Sequence, residues 1–266
     1  MKKFQVITTM NYDGWRQYGE RMVESFGKWW PTDVELHLYA ENFTPNKSYP
    51  NLVVHNIFDT CSNLRTFLND YDNEYNRGIR NGKRDFKYDA IKFSYKVYAQ
   101  CHAITNSSAD RLLFIDADTV TFAKPPMSTL EDMIGPNQLC AYIGRERSKK
   151  LPFSETGFVQ YNLQVEAVKE FAKVFENIYN TGEIFTLDYQ VDCFTFDTAR
   201  RRIEKQLDIQ SVDLNVGFGN KHPFINTILG TFMDHLKGDM RKQKGKSAQQ
   251  DFKERVAKTR TQSYWK

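Results

Sequence analysis

The sequence contains no run approaching the ~18 consecutive apolar residues that a membrane-spanning helix needs, which excludes a helical span as its organising feature. Its amino terminus, Met1-Lys2-Lys3-Phe4-Gln5-Val6-Ile7-Thr8-Thr9, starts basic but turns polar at once, so a secretory signal is not expected. Cysteine is sparse: Cys61, Cys101, Cys140 and Cys193 stand far apart with no CxxC pair, and a reduced, cytoplasmic compartment is the expectation. Internal repeats are absent. Charge of one sign is also lacking, because the net charge is only +4. Its distribution is uneven, however. Residues 237–266 hold ten Lys/Arg against three Asp/Glu, or +7, so the other 236 residues sum to −3.

What is present suits one large folded domain. The 266 residues are 40 % hydrophobic, enough for a substantial core. Aromatics reach 14 %, a share that packing largely explains but that also suits stacking on flat ligands. The first third alternates strand and helix signals. Phe4–Thr9 reads as a buried strand, and Gly14 to Trp30 places Trp15, Tyr18, Met22, Phe26 and Trp29 at helical spacing before Pro31 stops it. Val34–Ala40 and Leu52–His55 read as further strands, an order that predicts a mostly parallel sheet with helices on its faces. Residues 59–87 are polar and charged and read as an insertion or flexible loop. A helix is expected from Asp89 to Thr105, strands at Arg111–Ile115 and Leu139–Ile143, and an amphipathic helix from Val165 to Tyr179. The domain is expected to run over 1–243, with 244–266 a basic helix or loose tail.

The most informative segment is Leu112-Leu113-Phe114-Ile115-Asp116-Ala117-Asp118-Thr119-Val120. An apolar strand runs directly into two aspartates separated by one small residue. Ligands of open α/β sheets bind beyond the carboxyl ends of the strands, and both carboxylates can converge there on one cation. Hard oxygen ligands suit Mg²⁺ or Mn²⁺ bridging to diphosphate oxygens. The plain alternative is a turn aspartate followed by a capping one.

A second segment bears on that choice: Met233-Asp234-His235-Leu236-Lys237-Gly238-Asp239-Met240-Arg241-Lys242. A neutral imidazole is a good further ligand for Mn²⁺. Gly238 permits close backbone approach to a phosphate, and Lys237, Arg241 and Lys242 can neutralise diphosphate charge. The plain alternative here is a surface histidine near a basic helix end.

Together these residues resemble the GT-A glycosyltransferases, and most closely the retaining class that includes glycogenin and the bacterial lipooligosaccharide galactosyltransferases. In that class a DxD and a late histidine in an HxxGxxK pattern hold the metal. The resemblance implies Asp116, Asp118 and His235 as metal ligands, with Ala117, Lys237, Gly238 and Lys242 at the nucleotide sugar. Arg241 replaces the usual lysine, and the Pro-Trp that commonly follows is missing, which leaves the acceptor side undefined. Thr8, Thr9, Asn11 and Tyr12, at the end of the first strand, match the uridine site, where Tyr12 would stack on the base. The segment Tyr88–Lys96 is similar to one in small phage and viral glycosyltransferases and implies Lys92, then Lys96, at the donor. Ser154–Asn162 resembles the strand flooring the donor-sugar pocket, with Gly157 in it. Asp188–Phe194 resembles the loop whose aspartate faces the reacting sugar, so Asp192 is the implied catalytic group, with Asp188 and Glu155 behind it. A manganese- or magnesium-dependent transferase using a UDP-sugar and a hydroxyl acceptor, with retention, is thereby expected.

Other readings stay open. Basic stretches at Arg77–Arg84, Arg145–Lys150, Arg200–Arg202 and the tail could hold DNA, as in a phage-type enzyme glycosylating a modified base. A nucleotidyltransferase would need a glycine-rich basic loop after the first strand, where Thr8–Tyr12 stands instead. A binding module without catalysis would hold the donor and never hydrolyse it.

Overall fold

The computed structural model describes residues 2–145, 151–216 and 222–266. Strands β1 (Phe4–Asn11), β2 (Glu35–Glu41) and β3 (Leu52–Asn56) come first, and a hairpin of β4 (Arg77–Arg80) and β5 (Lys83–Asp89) follows. The helix Ala90–Asn106 then leads into β6 (Arg111–Ile115) and the short β7 (Thr119–Thr121). After these come β8 (Gln138–Ile143), β9 (Glu155–Asn162), β10 (Gln210–Asp213) and β11 (Met233–His235).

Seven strands form the main sheet in the order β10-β8-β9-β6-β1-β2-β3. Only β9 runs against its neighbours; all other pairings in that sheet are parallel. Side-chain alternation along the strands assigns the two faces. Ile7, Leu112 and Phe114 pack with the helices Ala90–Asn106, Ala167–Asn180 and Asp192–Leu207 on one face. Val6, Leu113 and Ile115 pack on the other with Met22, Val23 and Phe26 of the helix Glu20–Trp29. The chain leaves β1 over one face and enters β6 from the other. A crevice therefore opens at the carboxyl ends of β1 and β6, the position where such sheets bind ligands. Because β9 is reversed, its amino-terminal residues Glu155, Thr156 and Gly157 reach that same edge.

The expected strands and the mostly parallel mixed sheet are present. The first helix differs in its start. Asn11 accepts a hydrogen bond from the Gly14 amide at 2.8 Å, and a π-helical turn at Trp15–Gly19 precedes Glu20–Trp29. Gly19 is needed there, because a Cβ would fall 2.1 Å from the Met10 sulfur.

Two expectations are corrected. Residues 59–87 are not an unstructured loop: they include the helix Ser62–Tyr71, whose Leu64 and Phe67 are buried, and the β4–β5 hairpin. The tail is not loose either. Trp265 is 4 % exposed and meets Phe252 edge-on at 4.7 Å, while Tyr264 stacks on Phe122 at 4.1 Å. Burying a tryptophan outweighs the ordering cost of a short, charged segment.

No helix among the described residues is long and apolar enough to cross a membrane.

Candidate functional site

The two motifs, far apart in sequence, meet because their flanking strands pair. Beyond β6 the Thr119 amide bonds the Asp116 carbonyl at 3.0 Å, closing a turn that carries both aspartates. The chain re-extends as β7, which pairs antiparallel with β11 so that Thr119 lies opposite His235. The Leu236 amide then bonds the Asp118 carbonyl at 2.8 Å. This places His235 Nε2 3.1 Å from Asp118 Oδ1 and 3.5 Å from Asp116 Oδ2. The imidazole is not on a remote surface; it is 3 % exposed.

Glu155 joins them. One oxygen each of Asp116 and Glu155 and one His235 nitrogen lie within 4.8 Å of one another, with His235 Nδ1 3.7 Å from Glu155 Oε1. The sequence suggested Glu155 as a catalytic group; the fold puts its carboxylate in the acid–imidazole cluster, paired with Lys237 at 2.6 Å and with Arg145. Gly157 makes the cluster possible. A Cβ there would stand 2.7 Å from His235 Cε1 and 3.3 Å from Asp116 Oδ2.

Cations balance the acids. Lys96 Nζ is 2.5 Å from Asp116 and 3.8 Å from Asp192, and Lys242 Nζ is 3.0 Å from Asp118. Burial alone would raise the Asp118 pKa, but His235 and Lys242 outweigh it and hold the carboxyl well below the usual range. For Lys96 burial opposes the charge, yet Asp116 and Asp192 prevail and keep it protonated. His235 Nδ1 is buried without a hydrogen-bond partner. Three carboxylates, an imidazole with an unused nitrogen and movable ammonium groups are a donor set that fits Mn²⁺, and Mg²⁺ less well because of the nitrogen.

Asp192 heads the helix Asp192–Leu207 with its side chain 1 % exposed. The Thr156 hydroxyl donates to it at 2.6 Å, fixing the carboxylate beside Lys96. Asp188, by contrast, is exposed on the preceding loop and makes no ion pair among the described residues, so the fold does not bring it into the cluster.

The nucleotide-side expectations divide. Thr8 and Thr9 are buried near the end of β1; the Thr9 hydroxyl donates to the Tyr39 carbonyl at 2.9 Å, while the Thr8 hydroxyl has no hydrogen-bond partner. Asn11 and Tyr12 stand at the strand end, with Tyr12 54 % exposed. Lys92 is exposed one turn before Lys96. Ala117 is buried between the aspartates, and its small side chain lets the turn close. Gly238 has φ +85° and ψ 156°, a region essentially restricted to glycine. It leads Lys242 back towards Asp118 over the Tyr18 ring, 4.5 Å away.

Several contributors escaped the sequence reading. Arg145 and Thr156 are common residue types in unremarkable contexts. His222 lies within hydrogen-bond distance of the His235 carbonyl, Nε2 to O 3.0 Å, and burial pushes it down to about 3, so it is neutral. Only the fold could have revealed these.

Much of the basic charge expected to hold DNA is neutralised. Arg77 pairs with Asp72, Arg84 with Asp89, Arg200 with Asp197 and Glu204, Arg202 with Glu183 and Arg241 with Asp251. Residues 146–150 of the expected stretch lie outside the described residues.

No model of a protein family and no curated protein matches the sequence. Solved structures do. The bifunctional glycosyltransferase WbbM aligns over 90 % of this chain at 13 % identity and a TM-score of 0.50, and this chain spans 46 % of that one. A glycosyltransferase involved in glycosylation of the major capsid of PBCV-1 aligns over 91 % of this chain and 98 % of its own at 13 % identity and a TM-score of 0.47. Mouse xyloside xylosyltransferase 1 gives 80 %, 85 %, 10 % and 0.47 for the same quantities. At these identities the likeness concerns the fold. The chain has the GT-A architecture: an α/β fold with one mixed, mostly parallel sheet flanked by helices.

Proposed function

We propose that this chain is a metal-dependent glycosyltransferase that moves a sugar from a nucleotide-sugar donor, a UDP-sugar in the first instance, to an acceptor hydroxyl with retention of configuration. The observation that carries the reading is the convergence of Asp116, Asp118 and His235, with Glu155, at the carboxyl edge of the sheet. Asp116, Asp118 and His235 would hold the ion. A bound divalent cation would supply Lewis-acid charge to a diphosphate leaving group.

The protein's own residues account for the rest. In our reading Lys242 and Lys237, each now paired with a cluster carboxylate, turn to the diphosphate oxygens and add fixed positive charge. Positive charge develops at the anomeric carbon as its bond to the diphosphate breaks, and a buried carboxylate nearby lowers that barrier. We assign this role to Asp192. Thr156 fixes its orientation, and the Lys96 ammonium stands 3.8 Å from it. A carboxylate tied to a hydroxyl and an ammonium is better suited to electrostatic stabilisation than to accepting a proton. Under retention the departing phosphate takes the acceptor proton on the same face.

The test is a screen of UDP- and GDP-sugars with Mn²⁺ for slow hydrolysis, which requires no acceptor. One UDP-sugar should be hydrolysed, EDTA should stop the reaction and Mn²⁺ restore it. Asp118→Ala should lose at least about 100-fold in rate while keeping its far-ultraviolet circular dichroism. Full activity of that variant would end the metal assignment, and donor binding without any hydrolysis would make the chain a binding module. The anomer formed, read by NMR, distinguishes retention from inversion; in the second case Asp192 would be the general base.

A further inference from the structure

We infer that Arg80 recognises an anionic substituent, carboxylate or phosphate, on a saccharide acceptor, a proposal that rests on the transferase reading and gives its acceptor a chemical class. Arg80 ends β4, just before a turn in which Asn81 and Gly82 both have positive φ, 52° and 71°. Two successive left-handed residues make the tight hairpin turn that twists with its strands, so Arg80 stands at a rigid neck opposite Lys83. Its guanidinium carbon lies 4.4 Å from the Tyr75 ring centre and 4.1 Å from that of Tyr88.

What Arg80 lacks is an acid. The two other arginines of the hairpin are paired, Arg77 with Asp72 and Arg84 with Asp89. Among the described residues Arg80 has neither an ion pair nor a hydrogen bond, and its Nε is buried without an acceptor. Aromatic faces hold the plane of the guanidinium but use none of its N–H donors. Those donors lie in the plane, in the fork that matches a carboxylate or phosphate. An arginine fixed in this way has lost its flexibility before any ligand arrives.

The location connects this group to the reaction centre. The Gln190 amide bonds the Lys87 carbonyl of β5 at 2.7 Å, tying the hairpin to the loop two residues before Asp192. Tyr189 of that loop lies nearly parallel to Tyr88 at 6.5 Å and meets Phe153 and Phe194 edge-on, each at 5.4 Å. At its other end the hairpin reaches Asp89, which caps the helix carrying Lys96 by accepting from the Lys92 amide at 3.0 Å. Tyr75, whose ring lies against the guanidinium, is 58 % exposed, and Phe86 of β5 is 50 % exposed, so this segment offers open ring surface. Rings suit the apolar face of a sugar; one unpaired guanidinium suits one charged group. A duplex backbone would call for a row of free cations along its track, and the neighbouring arginines are already neutralised.

The experiment is an NMR titration of the full chain with D-glucuronate, D-glucose 6-phosphate and D-glucose, repeated for Arg80→Gln, Arg80→Lys and Tyr75→Ala. One of the two anionic sugars should bind at least about tenfold more tightly than glucose, and Arg80→Gln should abolish that advantage. Arg80→Lys, which keeps the charge but not the fork, should recover only part of it. The better of the two anions identifies the group recognised. Tyr75→Ala removes one of the two rings against the guanidinium at an exposed position and should weaken the same ligand. Equal affinity for all three sugars, no saturable binding, or an unchanged ratio in Arg80→Gln would overturn the proposal. Binding of a DNA duplex that depends on Arg80, with no preference among the sugars, would overturn the saccharide class. Neither donor nor metal is present in this titration, so its failure is read separately from a failure of donor hydrolysis.

Discussion

His235 Nε2 lies 3.1 Å from Asp118 Oδ1 because His235 and Thr119, the residue after Asp118, are opposite partners in a two-stranded ladder. The ladder is short, three residues on each strand, and it is buttressed from the carboxyl-terminal segment. Asp234 accepts hydrogen bonds from the Ser247 amide and hydroxyl, at 2.7 and 2.6 Å, and from the Tyr264 hydroxyl at 2.9 Å. The position of the imidazole is therefore set by contacts on either side of it.

Gly157→Ala tests how tightly that ring is confined. The new methyl would stand 2.7 Å from His235 Cε1, 2.9 Å from Nδ1 and 3.3 Å from Asp116 Oδ2, so the imidazole must shift within the cluster. Mn²⁺ affinity measured by calorimetry should fall by roughly 10- to 100-fold, alongside a stability loss of about 1–3 kcal/mol from overpacking. Wild-type affinity in this variant would show that His235 is not a ligand.

The charge of Asp118 gives a pH prediction. Its carboxyl is held below its ordinary value by His235 and Lys242 against the opposing effect of burial. A depressed carboxyl stabilises the fold above its unfolded-chain pKa, near about 4, and that stabilisation is lost as pH falls through the folded value. The urea midpoints of wild type and Asp118→Asn should differ most at pH 5 to 6 and converge towards pH 2. A constant difference over that range would contradict the assignment.

Trp265→Ala should destabilise the whole domain, not merely fray its end. The ring is buried and its Nε1 donates to the Gly230 carbonyl at 3.0 Å. A loss of about 3 kcal/mol or more is expected from chemical denaturation. Weaker Mn²⁺ binding should accompany it, because Tyr264 and Asp234 support the strand that carries His235. A near-neutral effect would mean that the tail is not part of the folded unit.

Thr156→Val separates orientation from charge at Asp192. It removes the 2.6 Å hydrogen bond while leaving the carboxylate in place. Transfer should slow by roughly 10-fold in kcat, whereas Asp192→Asn should cost at least about 100-fold. Both variants should bind Mn²⁺ as wild type does. Equal losses in the two would point to a structural role for Thr156 alone.

The misreadings of the sequence have physical causes. Residues 59–87 read as an insertion or flexible loop because their charges dominate, yet Leu64 and Phe67 recur at helical spacing and Asn81-Gly82 is a hairpin signal. Those local signs were available and were outweighed by composition. The tail was misjudged because a weakly periodic, basic segment gives no hint of where its aromatic end will dock.

The sequence by itself determined the alternation of strands and helices and the run of apolar residues ending in Asp116 and Asp118. These are local matters, governed by periodicity and by strand length. Tertiary structure alone decided that β9 is reversed, so that Glu155, Thr156 and Gly157 arrive at the reactive edge, and that β7 pairs with β11. Strand direction and partner choice depend on contacts between segments scores of residues apart, and no short window of sequence records them.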